Sequence, residues 1–142
     1  MTYRAHIIMA FAALTSTVMH GQVHYGVDHL ACAEGDGPVR SRVLHSDSLA
    51  TSTLLCISDE VRPHVHAFHT EHVHVLAGEA LMLLGDSMFK VGPGSFLTIP
   101  QGTTHAVRVR GNAPLRVISV QSPGYDGTDR VMVAPPALWT RP

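Results

Sequence analysis

Arg62 to Glu79 reads RPHVHAFHTEHVHVLAGE and carries five of the eleven histidines, with Glu71 among them. In an extended strand, residues i and i+2 point to the same face, about 6.5–7 Å apart. His64 and His66 therefore share a face, and Pro63 stiffens the approach to it. Glu71 opens the next strand after the short loop Ala67 to Thr70, which brings its carboxylate beside the two imidazoles. By the same alternation His72 and His74 face away, onto the outer surface or a subunit contact. His69 lies in the loop and reads either as a proton shuttle beside the site or as a solvated loop histidine.

The turn residues that follow divide the chain into short apolar or alternating runs. Arg42 to His45, Thr51 to Ser58, Val61 to His66, Glu71 to Leu76 and Ala80 to Leu84 read as strands. So do Met88 to Val91, Phe96 to Ile99, His105 to Arg110 and Leu115 to Gln121. Gly85-Asp86-Ser87 reads as a hairpin; Gly92-Pro93-Gly94, Pro100-Gln101-Gly102 and Gly111-Asn112-Ala113-Pro114 read as turns. Eight to ten short strands without a convincing helix predict an antiparallel sandwich or barrel. His105 opens its strand just after a turn, so it can reach the His64–His66 face from a distant part of the barrel. Three imidazole nitrogens and a carboxylate oxygen suit one divalent transition metal ion, with coordination positions left over for water, substrate or dioxygen.

The spacing of these residues closely resembles the cupin superfamily. His64, His66, Glu71 and Gly78 stand as His-x-His, four residues, Glu, six residues, Gly. Gly94, Pro100, Gly102 and His105 stand as Gly, five residues, Pro-x-Gly, two residues, His. The resemblance covers roughly Val39 to Pro123. The family's leading Gly is Ser58 here, the acidic residue common after the Pro-Gly turn is Ser95, and the Asn that often ends the second motif is Val109. The resemblance implies an all-β, single-domain, double-stranded β-helix, a jelly-roll-like barrel with a metal inside one end. It implies His64, His66, Glu71 and His105 as ligands of one Fe, Mn, Ni, Cu or Zn ion. Commonly such domains also pair as homodimers through outer strands.

Within the barrel, Val73, Val75, Leu81, Leu83, Val107 and Val109 are expected to line the interior, with Met82 and Met88 as core fillers. One face of the last strong strand, bearing Ser119 and Gln121, should approach the site. Arg108, Arg110 and Arg116 alternate outward as a solvated basic ladder.

The 142 residues are enough for one domain at 45% hydrophobic and 15% charged residues, a globular composition. A net charge of −1, with basic residues spread along the chain, argues against a nucleic-acid surface. Residues 1–21 read as a signal peptide: Arg4, the apolar run Ile7 to Leu14, then a polar segment, too short to span a bilayer. That predicts a periplasmic or secreted protein; the alternative is an N-terminal element packed on a cytoplasmic domain. Residues 22–38 read as an exposed extension broken by glycines, residues 39–123 as the barrel, and 124–142 as a wrapping tail with an edge strand at Val131 to Val133. Cys32 and Cys56 form no CxxC, and two thiols are expected, with a disulfide as the alternative in an exported protein.

These residues point to a metal-dependent, dioxygenase-type enzyme acting on a small organic molecule, with Glu71 doubling as a base and His69 as the shuttle. Isomerisation or decarboxylation at the same centre competes with it. A non-enzymatic metal- or small-molecule-binding module is the reading from a different class, since no acid–base pair beyond the ligands is evident.

Overall fold

A computed structural model describes residues 24–140, so the segment read as an export signal lies outside the described residues. A single turn of 3-10 helix, Val27–His29, precedes ten strands. These are β1 (Val39–Ser46), β2 (Thr51–Ile57), β3 (Glu60–His66), β4 (Thr70–Ala77), β5 (Glu79–Leu84), β6 (Ser87–Val91), β7 (Phe96–Ile99), β8 (His105–Arg110), β9 (Leu115–Ser122) and β10 (Arg130–Met132). They form two five-stranded sheets, ordered β1-β2-β9-β4-β7 and β10-β3-β8-β5-β6, in which every pairing is antiparallel. The fold is the double-stranded β-helix, with strands from distant parts of the chain alternating within each sheet. Among the described residues, no helix is long and apolar enough to cross a membrane.

Inward-facing side chains of the two sheets build one core, with Val75, Ile99 and Val117 at most 2% exposed. Gly78 makes the β4–β5 turn possible. Its φ is +81°, and a Cβ there would collide with the Pro114 carbonyl oxygen. On β5 the expected facing is reversed. Ala80 and Met82 point inward, while Leu83 is fully buried on the outside of its sheet against Ala106 and Trp139. The run Ala-Leu-Met-Leu-Leu is apolar at every position, so alternation cannot choose its inner face. Residues 137–140 lay Trp139 over that outer face, giving it an apolar cover of its own.

Two of the three arginines of the expected basic ladder, Arg108 and Arg116, are engaged by other parts of the chain, while Arg110 is exposed. Arg108 donates to Glu60 at 2.8 Å and lies 4.5 Å over the Trp139 ring, and Arg116 donates to the Leu30 carbonyl at 2.6 Å. The expectation of two thiols is also corrected. Cys32 and Cys56 form a disulfide with a Cα–Cα distance of 5.8 Å. The extension therefore folds back on the outer face of β2, although His24 and His29 remain exposed. The bridge closes a loop across a sequence separation of 24, a length for which the chain-entropy model gives a stabilisation of about 3.5 kcal/mol. Cys32→Ser should lower the denaturant-derived unfolding free energy by about that amount, and reductant should bring wild type down to the variant. An unchanged midpoint in both cases would show that the bridge contributes nothing.

Candidate metal centre

The register of β3 sets the site. Val61 lies opposite Val107 on β8, but His64, not Pro63, lies opposite His105, so one extra residue is inserted at Arg62-Pro63. Proline has no N–H to give the ladder, which makes it a natural occupant of such a bulge. The bulge shifts the alternation by one. Val61, His64 and His66 thereby all face the interior, where all three line one cavity. His64 and His66 are 5% and 4% exposed, and His105 is 5% exposed. Across from them, β4 and β9 of the other sheet bring Glu71 and Gln121 together as register partners, with Ser119 two residues before Gln121.

Each ring's orientation follows from its second nitrogen. His64 Nδ1 donates to the Arg62 carbonyl at 2.9 Å, and His105 Nδ1 donates to the Thr103 carbonyl at 3.0 Å. With Nδ1 protonated, each Nε2 carries its lone pair. Burial, and then the nearby His105, push the His64 pKa down to about 3, so its ring is neutral. His66 Nε2 and His105 Nε2 lie 3.3 and 3.4 Å from Glu71 Oε2. Ser119 Oγ donates to Glu71 Oε1 at 2.5 Å. Burial raises the Glu71 pKa, and the hydrogen bond from Ser119 lowers it.

This donor set fits a metal ion. One ligand nitrogen from each of His64, His66 and His105 lies within 4.8 Å of the others. His105 Nε2 is buried and makes no hydrogen bond despite its carboxylate neighbour. Three clustered imidazoles, with a carboxylate oxygen 3.3 and 3.4 Å from two of them, are a donor set that suits a divalent cation. The site closes one end of a cavity of about 480 Å³, whose other walls are largely apolar and include Val75, Met82, Ile99, Val107 and Val117.

The cupin domain family model matches residues 57–121, which include both motifs. The structure superposes with a TM-score of 0.69 and 19% identity on a double-stranded β-helix protein from Klebsiella pneumoniae, covering 81% of this chain and all of that one. The domain so matched belongs to the cupin superfamily. An uncharacterized Methanocaldococcus jannaschii protein is 29% identical over 101 residues, 66% of this chain and 80% of its own. Quercetin 2,3-dioxygenase of Bacillus subtilis is 30% identical over 66 residues, 46% of this cupin but 19% of the dioxygenase.

The other histidines separate cleanly. His72 and His74 point outward, and His72 stacks on Phe96 with ring centroids 5.7 Å apart. His69 is neither solvated nor a wall of the cavity. It is 5% exposed, its Nδ1 makes a very short hydrogen bond to Asp129, and its Nε2 lies 3.2 Å from the Gly124 carbonyl. Both ring nitrogens are thus engaged with residues 124–129.

Residues 124–130 include groups that strand reasoning missed. Tyr125, Asp126 and Arg130 line the cavity, and the Tyr125 ring packs edge-on to His66 with centroids 5.8 Å apart. The only local signal for them was the apolar Val131-Met132-Val133. The adjoining β10 pairs Arg130 with His66, which carries the preceding residues across the cavity. Metal-free protein should bind one equivalent of Co²⁺ or Zn²⁺ by calorimetry. His64→Ala and His105→Ala should each lose stoichiometric binding, whereas His74→Ala should keep it. Equal binding by all four proteins would place the metal elsewhere.

Proposed function

We propose that this cupin holds one divalent transition metal ion on His64, His66, Glu71 and His105 and uses it to oxidise a small, largely apolar organic molecule with dioxygen. The observation that carries the reading is the arrangement of the cavity: a cluster of buried donors at one end and apolar walls beyond it. The partial similarity to quercetin 2,3-dioxygenase supports the same class of reaction. When bound, an Fe, Mn, Ni or Cu ion would supply Lewis-acid and redox chemistry at its open positions.

The chain's own residues set what enters. Three neutral imidazoles and one carboxylate leave a divalent ion with net positive charge, which attracts an anionic or polarised oxygen such as a phenolate or enolate. Ser119 holds Glu71 Oε1, leaving Oε2 toward His66 and His105. With one oxygen held by Ser119 and the other facing two imidazoles, Glu71 is assigned to metal binding ahead of proton transfer. The apolar walls exclude water and match an aromatic or alicyclic body. At the mouth, Arg130 and Asp126 offer opposite charges, and Tyr125 offers a phenol whose pKa is raised by burial.

A second reading is a non-enzymatic binding module. It is favoured by the scarcity of acid–base groups on the cavity walls apart from the ligands and the mouth residues. Isomerisation or decarboxylation would use the same centre without consuming dioxygen. The disulfide supports an oxidising, extracytoplasmic compartment for the mature chain. Phe96, 65% exposed and stacked on His72, supports pairing of two copies through the outer face of the first sheet.

Protein loaded anaerobically with Fe²⁺, Mn²⁺, Ni²⁺ or Cu²⁺ should consume dioxygen in an electrode cell when given a flavonol or catechol. Wild type should exceed Glu71→Gln by on the order of 100-fold. Metal-loaded protein that binds these compounds without consuming oxygen, and returns them unchanged, would favour the binding module. Their conversion without oxygen uptake would favour isomerisation or decarboxylation.

A further inference from the structure

The three histidines do not satisfy their second nitrogens in the same way. His64 and His105 each use the main-chain carbonyl two residues earlier. His66 has no such partner, and its buried Nδ1 makes no hydrogen bond. Gln121 Nε2 lies 3.3 Å from His66 Nε2, and an amide N–H donating there requires that Nε2 be the lone-pair nitrogen. The ring proton then sits on Nδ1. The carboxylate facing that atom is Asp129, whose Oδ2 is 3.8 Å away and whose side chain is 1% exposed.

Asp129 is itself held from several directions. Oδ1 accepts from the Phe68 amide at 2.8 Å, and Oδ2 accepts from the His69 amide at 3.1 Å and from the His69 ring. Its main-chain carbonyl accepts from the Ala67 amide at 3.3 Å. One residue between β9 and β10 therefore grips the whole loop that joins His66 to Glu71 and presents a carboxylate to the His66 ring.

We infer that Asp129 is a positioning residue of the metal centre: it anchors the loop behind His66, draws the His66 ring proton to Nδ1 through its charge 3.8 Å away, leaves Nε2 as the ligand atom, and couples the docked segment 124–132 to the metal. The inference rests on the metal reading proposed above. A carboxylate behind a ligating imidazole raises its basicity and fixes its rotation, and losing one costs 10–100-fold in metal affinity in other sites. The coupling is reciprocal, so metal binding also holds the segment in place.

Three measurements on the full chain test this. Chelator competition with Co²⁺ should show Asp129→Asn binding 10–100-fold more weakly than wild type, with Asp129→Glu recovering most of the loss. In ¹⁵N-resolved imidazole spectra of metal-free protein, Asp129→Asn should disturb the Nδ1–H forms of His66 and of its direct partner His69, and leave those of His64 and His105 as they were. Co²⁺ should slow tryptic cleavage after Arg130 in wild type but not in Asp129→Asn. Unchanged affinity and spectra in Asp129→Asn would overturn the inference, as would a joint shift of all three histidines, the mark of a merely structural anchor. If Asp129→Asn does not fold, the wild-type spectrum decides, since a His66 proton on Nε2 overturns the assignment. Wild type that binds no metal, yet keeps a His66 tautomer dependent on Asp129, would sink the metal reading and leave the positioning role standing.

Discussion

Three imidazoles and a carboxylate are taken out of water at one end of an apolar cavity, and they do not satisfy one another. A buried polar atom without a partner costs about 1–3 kcal/mol, and His105 Nε2 is such an atom. The local irregularities of the barrel serve this cluster. The bulge at Arg62-Pro63 turns His64 and His66 inward, the carbonyls of Arg62 and Thr103 fix two rings, and Ser119 holds one carboxylate oxygen. A cation at the point of convergence would satisfy the outstanding lone pairs together, which makes the arrangement intelligible as a whole.

Much of the barrel was legible in the sequence because its signals are local. Turn residues separate the strands, and β4, β8 and β9 alternate in the expected sense, so Glu71, His105, Ser119 and Gln121 face inward and His72 outward. Simple alternation gave the right face for His64 and His66 relative to each other. Their alignment with Val61 and across from His105 depends on the bulge, for which Pro63 was the only sign. On β5, five consecutive apolar residues removed the contrast on which alternation depends.

What escaped the sequence came from the chain's two ends. A glycine-broken extension and a proline-rich tail carry little periodicity, yet each is pinned to the barrel by long-range contacts. Cys32 binds Cys56, Arg116 reaches the Leu30 carbonyl, and Trp139 covers Leu83. Asp129 is the most consequential of these residues, because no spacing rule relates it to His66 and only the pairing of β10 with β3 brings them together. His69 shows the converse: its place between His66 and Glu71 suggested chemistry, while its contacts tie it to Asp129 and Gly124.

The most direct test of the metal centre is an anomalous-difference map from a crystal of protein loaded with one equivalent of Co²⁺. The account predicts a single strong peak bonded to Nε2 of His64, His66 and His105 and to an oxygen of Glu71. No peak within bonding distance of those atoms, or a peak only at surface histidines such as His72 and His74, would contradict it.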